Sequence, residues 1–175
     1  MKDILILGAG GHARVVIDAA LATQNFNIIG FLDDGDVEEI LGVKKLGSIC
    51  ELDKFQNVYY HIALGNNQLR ENIGEKIDRE RLATIVHPKA YLSRDVLIGN
   101  GCYIGANVVL NSKTILEDLV IVNTGSIIEH DCILKKASHI SYGVLVGSLV
   151  EVSKKVYIDM GKIIKRGEII ERDIR

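Results

Sequence analysis

A histidine followed by an acid, His130 and Asp131, stands in the segment VNTGSIIEHDCI in the second half of the chain. Histidine titrates near neutral pH, so an exposed imidazole can take a proton from an acceptor nitrogen or oxygen. A neighbouring carboxylate can hold the ring in one tautomer and stabilise the imidazolium that forms. The pair therefore predicts a general base. The alternative is that His130 is an ordinary exposed histidine in a surface turn.

A glycine-rich turn, GAGG, follows the first apolar run of the chain and leads into His12 and a helical pattern. Gly8 allows a sharp turn, whereas Gly10 and Gly11 let backbone N–H groups approach a ligand, and a helix N-terminus favours phosphate. Ala13 stands where the dinucleotide fingerprint has its third glycine. A mononucleotide or sugar nucleotide is therefore a better match than NAD, and a tight turn without a ligand is the alternative.

Polar residues also follow the next two strand-like runs, at the sheet edge where ligands bind in open α/β folds. Asp33 and Asp34 could accept hydrogen bonds from a ribose or a base. Gly65 precedes Asn66, which could bond a base edge or simply cap the following helix. Arg70 in that helix could pair with a phosphate or lie in solvent.

The elements that carry these residues differ between the two halves of the chain. Residues 1–83 alternate apolar runs at 4–7, 28–32 and 59–64 with helical patterns at 13–22 and 68–77. This order predicts a small Rossmann-like domain with a parallel sheet. It is about half the size of a complete dinucleotide-binding fold.

Residues 84–175 repeat with a period of six. Every sixth residue is a branched aliphatic, without exception, in the series Val86, Leu92, Ile98, Ile104, Leu110, Leu116, Val122, Ile128, Leu134, Ile140, Val146, Val152, Ile158, Ile164 and Ile170. The residues two positions earlier are mostly small or Val, which is the alternation of a short strand. The period predicts a parallel β-helix of five coils with three hexads each. Lys162 and Glu168 break the inward pattern, so we expect the last coil to be exposed or distorted.

The composition excludes several classes of function. The formal net charge is −2 and no basic block is present, so a nucleic acid is an unexpected partner. No apolar run is long enough to span a membrane. Three cysteines without metal-type spacing indicate reduced thiols, a cytoplasmic protein and no metal site.

Taken together, the motifs GAGGHARVV, FLDD, ALGNNQLR, IVHPKA, IVNTGSIIEHDC and SHIS resemble the bacterial sugar O-acyltransferase family over nearly the whole chain. That family includes sialic acid O-acetyltransferases and UDP-4-amino-sugar and GDP-perosamine N-acetyltransferases. The resemblance implies a left-handed β-helix, a homotrimer, acetyl-CoA as the donor, and a nucleotide sugar or sialic acid as the acceptor in surface glycan synthesis.

The resemblance also implies roles for single residues. His130 would be the general base and Asp131 would orient it. His139, with Gly143 and Ser148, would bind acetyl-CoA near its reacting end. The acceptor's nucleotide would be held by the glycine turn with its histidine, the acid pair and the Gly-Asn segment, that is by Gly8, Gly10, Gly11, His12, Asp33, Asp34, Gly65 and Asn66.

Three departures from the family pattern define the alternative function. The family's Ser-Pro-Gly is Ser141-Tyr142-Gly143 here, and its Gly-Gly is Gly147-Ser148. Family members usually continue for about two more coils and end in a segment that helps to hold CoA. The alternative is a non-catalytic nucleotide-sugar-binding protein that lost CoA binding. An NAD-dependent enzyme is a third and weaker alternative.

Overall fold

The computed structural model describes residues 1–175. As predicted, a small Rossmann-like α/β region precedes a left-handed parallel β-helix. The first region has a five-stranded sheet in the order β3-β4-β2-β1-β5, parallel except for the β3–β4 pair. Its strands are β1 (Lys2–Leu7), β2 (Phe26–Leu32), β3 (Glu39–Ile40), β4 (Val43–Gly47) and β5 (Tyr59–Ile62).

Two α-helices and two 3-10 turns complete this region. They are α1 (Gly11–Thr23), α2 (Asn67–Gly74) and the 3-10 turns Ile49–Lys54 and Arg79–Arg81. Helix α1 begins two residues earlier than predicted, so its first turn contains the end of the glycine turn. Helix α2 is shorter than predicted, and β5 ends two residues early. The apolar face of α1 is buried, and the helix ends where Gln24 adopts a left-handed conformation.

Fifteen two-residue strands build the β-helix. They are β6 (Ile85–Val86), β7 (Tyr91–Leu92), β8 (Leu97–Ile98), β9 (Tyr103–Ile104), β10 (Val109–Leu110), β11 (Ile115–Leu116), β12 (Ile121–Val122), β13 (Ile127–Ile128), β14 (Ile133–Leu134), β15 (His139–Ile140), β16 (Leu145–Val146), β17 (Glu151–Val152), β18 (Tyr157–Ile158), β19 (Ile163–Ile164) and β20 (Ile169–Ile170). Strands 18 residues apart pair in parallel. The last coil keeps this pairing, although its outward isoleucines are largely exposed.

The strands form three flat faces of a prism. The first face contains β6, β9, β12, β15 and β18, the second β7, β10, β13, β16 and β19, and the third β8, β11, β14, β17 and β20. We call the turns between the first and second faces the first corner, and those between the second and third faces the second corner. The third corner closes each coil. The Rossmann-like region packs on the first face through α1 and on the third corner through α2.

The interior of the prism is a stack of the hexad aliphatics with small residues between them. Two of the small polar residues in this stack donate hydrogen bonds to carbonyls across the coil, whereas the Ser138 hydroxyl is buried without a protein partner. Thr114 Oγ1 donates to Glu129 O (3.0 Å) and Ser126 Oγ donates to Ser141 O (2.6 Å). Thr114 and Ser126 therefore occupy inward positions without the cost of an unpaired buried donor.

Twelve of the fourteen turns between the β-helix strands contain one residue with a positive φ. These residues recur every six positions from 101 to 167, and only five of the twelve are glycine. The others have L side chains held in the left-handed region by the ladder on both sides. Asp131 is one of them, with φ 57°. The same turn that closes the coil therefore sets the direction of the Asp131 carboxylate.

Candidate active site

The His130 groove lies on the second corner. It has a volume of about 380 Å³ and no apolar side chain in its wall, which consists of Ser93, Asn111, Ser112, Lys113, Glu129, His130 and Asp131. His130 Nδ1 lies 2.7 Å from Asp131 Oδ2, and both side chains are partly exposed. A carboxylate can only accept, so Nδ1 carries the proton and Nε2 keeps its lone pair. The pair can therefore act as an oriented base in a polar groove suited to a sugar.

The His139 cleft lies on the first corner, between α1 and the first face. Its volume is about 660 Å³, and it is lined by Gly11, His12, Val15, Asn123, Thr124, His139, Ser141, Tyr142, Gly143 and Tyr157. His139 projects outward from β15 but is only 7% exposed, because the Rossmann-like region covers this face. Its ring centre lies 6.2 Å from that of His12 and 5.0 Å from that of Tyr157.

Three histidines lie between the two regions, and we call His12, His61 and His139 the interface histidines; His61 and His139 are buried and His12 is partly buried. Burial, together with the smaller effects of His139, His61 and Arg70, lowers the pKa of His12 to about 3. Burial also lowers the pKa of His61 and of His139 to about 4. All three are therefore neutral at pH 7. The Nε2 atom of each is buried without a protein partner, as is the hydroxyl of Tyr103.

The tautomers of two of these rings follow from their partners. His61 Nδ1 lies 2.8 Å from Ala83 O, and His139 Nδ1 lies 3.3 Å from Gly65 O. A carbonyl oxygen accepts, so both Nδ1 atoms carry the proton. His139 Nε2 is consequently an unpaired acceptor, buried in the wall of the cleft. A ligand that meets this atom has to donate an N–H or O–H.

The glycine turn is closed from within by one of the predicted acids. Asp33 Oδ2 accepts from Ala9 N and its Oδ1 accepts from Gly35 N, both at 2.8 Å. Gly8 has φ +113°, and a Cβ there would lie 3.0 Å from Ala63 O. The turn is therefore built before any ligand binds, and Asp33 shapes it.

The start of α1 is open to an anion. Gly10 is the N-cap residue, no side chain caps the helix, and no acid lies in its first turn. A Cβ at Gly10 or Gly11 would have no atom within 4 Å. Free N–H groups and the positive end of the helix dipole remain available there, and Gly11 and His12 continue directly into the His139 cleft.

The second predicted acid faces a different space. Asp34 Oδ1 accepts from the Ser48 hydroxyl and from Ile49 N, and these hydrogen bonds lower the pKa of Asp34. Asp34 also lines a cleft of about 550 Å³ whose other walls are Ile49, Cys50, Leu52, Asp53, Leu69, Ile73 and Lys76. The acid pair thus divides between the glycine turn and this half-apolar cleft.

The Gly-Asn segment contacts the β-helix. Gly65 O accepts from His139, and Asn66 Oδ1 accepts from Leu69 N at 2.9 Å, so Asn66 caps α2. Arg70 is neither solvated nor free for a phosphate, and both of its predicted roles are wrong. It is 0% exposed and its guanidinium donates only to backbone carbonyls and to Asn67. Helical spacing alone does not predict that Arg70 is buried, because it is the β-helix that covers this face of α2.

The residues expected to bind acetyl-CoA are divided between two corners. His139 and Gly143 lie in the His139 cleft, whereas Ser148 follows His130 by one coil on the second corner. Tyr103 and Tyr157 are cleft-region residues that the hexad pattern alone did not single out. Both point outward from the first face as His139 does, Tyr103 two coils before it and Tyr157 one coil after it. Counting from His139 in steps of 18 residues would therefore have identified them.

No group of three or more His, Cys, Asp or Glu side chains is arranged to hold a metal ion. No helix is long and apolar enough to cross a membrane.

Comparison with known proteins gives matches over both halves of the chain. Residues 3–77 match the PglD N-terminal domain family, and residues 80–174 match the GMPPB C-terminal domain family. UDP-N-acetylbacillosamine N-acetyltransferase of Bacillus subtilis is 31% identical over 115 residues, which are 61% of this chain and 52% of that protein. An uncharacterized protein of Acanthamoeba polyphaga mimivirus is 31% identical over 68% of this chain, and the match spans 24% of its length. The chain thus spans about half or less of these two relatives.

Solved structures match over nearly their whole length. The acetyltransferase domain of PglB from Neisseria gonorrhoeae in complex with acetyl coenzyme A is 29% identical, with a TM-score of 0.79 over 99% of this chain and 92% of that chain. PerB from Caulobacter crescentus in complex with CoA and GDP-perosamine is 30% identical, with a TM-score of 0.70 over 99% of this chain and 91% of that chain.

Proposed function

This chain belongs to the hexapeptide-repeat sugar acetyltransferases, and from that premise we propose that it acetylates an amino group of a nucleotide-linked sugar, with acetyl-CoA as donor. The observation that carries the proposal is the His130–Asp131 hydrogen bond, through which the neutral ring presents its Nε2 lone pair in a groove without apolar walls. The acids Glu129 and Asp131 beside it favour a basic amine over a carboxylate-bearing sialic acid. The Bacillus subtilis relative is likewise named as an N-acetyltransferase.

The reaction is a direct transfer. The amine nitrogen attacks the thioester carbonyl carbon while His130 Nε2 removes its proton, and Asp131 stabilises the resulting imidazolium. The new C–N bond replaces the C–S bond, and the departing thiolate of CoA takes up a proton. A backbone N–H near the thioester would stabilise the oxyanion. No covalent intermediate on the protein is required.

The His139 cleft would receive the reacting end of acetyl-CoA, with Gly143 in its wall and the lone pair of His139 Nε2 as a hydrogen-bond acceptor. Ser148, one coil beyond His130, would contact the donor from the second corner. The acceptor's phosphates would bind at the start of α1, at Gly10, Gly11 and His12, on the frame that Gly8 and Asp33 build. Its base would occupy the cleft beside Asp34, and Gly65 and Asn66 would border the acceptor.

Assembly completes this site. His130 and the His139 cleft lie on different corners of one chain, separated by the second face. The outward side chains of that face are all apolar, and three of them are largely exposed, namely Tyr91 at 60%, Leu145 at 42% and Ile163 at 72%. We propose a cytoplasmic homotrimer in which this ladder is covered and the His130 groove of one copy meets the His139 cleft of the next.

Mixing two inactive variants tests both the chemistry and the shared site. His130→Ala and His139→Ala should each lose transfer to an amino-sugar nucleotide. Co-refolded at equal amounts, they should recover about a quarter of the wild-type rate, because one interface in four combines an intact groove with an intact cleft. No recovery would mean that one chain supplies both histidines. A monomer by light scattering would also contradict the assembly.

Binding measurements separate the alternative function. Titration calorimetry should detect acetyl-CoA and a UDP- or GDP-linked amino sugar. Binding of the nucleotide sugar without acetyl-CoA would instead identify a non-catalytic nucleotide-sugar-binding protein. Transfer to sialic acid but not to amino sugars would overturn the choice of acceptor.

A further inference from the structure

We infer that Arg70 is a positioning residue that sets which nitrogen of His139 carries the ring proton. Its guanidinium donates hydrogen bonds to the loop at 64–67, which contains Gly65, and to the β-helix next to His139. It therefore bridges the same two chain segments that the His139–Gly65 hydrogen bond joins. The inference rests on the proposed function only for the identity of the ligand that meets His139.

Arg70 is fully buried and holds two separate parts of the chain. On the Rossmann-like side, Nη1 donates to Leu64 O and Nη2 donates to Asn67 Oδ1, both at 2.9 Å. On the β-helix side, Nε donates to Leu119 O at 2.9 Å, and Nη2 donates to Ala137 O at 2.8 Å and to Ser138 O at 3.3 Å. No carboxylate pairs with it.

These contacts adjoin both partners of one hydrogen bond. Leu64 precedes Gly65, whose carbonyl accepts from His139 Nδ1, and Ser138 precedes His139. The guanidinium therefore fixes the distance between the Gly65 carbonyl and the His139 ring. A planar five-donor fork can do this, whereas a single ammonium group cannot reach all five acceptors.

The positive charge of Arg70 also helps to keep the His139 ring neutral, with a single proton. Burial lowers the pKa of Arg70 to about 10, so the guanidinium stays charged at neutral pH. Burial first and the Arg70 charge second lower the pKa of His139 to about 4, against the raising effect of Gly65 O. The other ionisable groups facing His139 are His12 and Tyr157, and both are neutral at pH 7. Arg70 thus opposes a second proton on the ring while its fork holds the first on Nδ1.

The consequence is a cleft that recognises hydrogen-bond donors. With the proton held on Nδ1, His139 Nε2 can accept an amide N–H or a hydroxyl but repels a carbonyl oxygen. If this preference is lost, the binding of acetyl-CoA should weaken by the free energy of about one hydrogen bond. The KM for acetyl-CoA should then rise roughly tenfold.

Nitrogen NMR of ¹⁵N-histidine-labelled, ligand-free protein tests the inference. The His139 signals, assigned with His139→Gln, should report one Nδ1-protonated tautomer that remains neutral at pH 5. Arg70→Lys should give a mixture of tautomers. Arg70→Met should raise the pH at which His139 protonates, while burial, the larger cause, keeps the pKa below that of a free imidazole. Arg79→Lys is the matched control, since Arg79 pairs with Asp118 at the surface, and it should leave His139 unchanged.

Asn67→Ser provides a gentler change if the Arg70 variants do not fold. It removes the Asn67 Oδ1 contact of the fork and should shift the tautomer ratio partly. Unchanged His139 signals in a folded Arg70→Lys or Asn67→Ser protein would overturn the inference, because a purely structural arginine would alter stability alone. If Arg70→Lys alters the tautomer but the wild-type protein itself has no transferase activity, the proposed function is refuted and the role of Arg70 stands.

Discussion

Replacing Asp131 with Asn tests how much the acid contributes to the base. The substitution keeps the size of the side chain, and Asn tolerates the left-handed φ of 57° at this corner, so the fold should be unchanged. It removes the negative charge that lies 2.7 Å from His130 Nδ1. The amide can also turn its NH₂ toward the ring and favour the wrong tautomer.

The size of the effect follows from the exposure of the pair. Two unit charges about 4 Å apart interact by about 1 kcal/mol in water and about 4 kcal/mol at an effective dielectric constant of 20. The side chains of His130 and Asp131 are 50% and 38% exposed. Solvent screening therefore places the loss of imidazolium stabilisation at about 1–2 kcal/mol, which is roughly a 5- to 30-fold fall in kcat.

The assay is the release of the CoA thiol at saturating acetyl-CoA and amino-sugar nucleotide, with KM measured for both. KM should change little, since the charge acts when the proton moves. Asp95→Asn is the matched control, because Asp95 lies two coils earlier on the same corner and bonds Ser112 instead. A kcat within twofold of wild type, or a change confined to KM, would refute the role given to Asp131.

Three further outcomes are expected. Ile128→Ala, in the fully buried stack, should cost about 2–5 kcal/mol in urea unfolding; the neighbouring outward Ile127→Ala should cost far less and weaken trimerisation, and equal costs would contradict the register. The interface histidines bind protons in the unfolded chain at pH 6.5 but in the folded protein only near pH 3–4. Stability should therefore fall as pH drops below 6.5, by about 2 kcal/mol per histidine at pH 5, and a flat urea midpoint would count against their burial. Gly8→Ala would place a Cβ at a residue with φ +113°, where it clashes with its neighbours, so the melting temperature should fall. Gly10→Ala should fold normally and bind nucleotide less tightly.

The β-helix was predictable from the sequence because its register repeats. A hexad with one inward aliphatic fixes which side chains face outward, so the position of His130 on a corner followed from the position of Ile128. The period also predicted fifteen short strands in five coils, and these are present. The turn at Asp131 needs a positive φ, but the sequence does not indicate this, since seven of twelve such positions are not glycine.

The contact between the two regions was not predictable in the same way. His139 was expected at an outward position, and it is outward from the prism, yet the Rossmann-like region buries it. Arg70 reads as an ordinary helix-surface arginine until the β-helix covers it. Docking of one domain on another leaves no period in either sequence, so the neutral histidines and the buried guanidinium emerge only from the assembled fold.

The six-residue step also makes the position of any residue on this prism discrete. Eighteen added residues would shift everything that follows by one coil, roughly 4.8 Å along the axis, and keep it on the same face. Six added residues would instead turn everything that follows by one face. An insertion of six ahead of His130 would carry the base to the third corner, against α2, without breaking the hydrogen-bond ladder. Insertions in multiples of eighteen therefore preserve the face of every residue that follows, while a single extra hexad moves each of them to the next face.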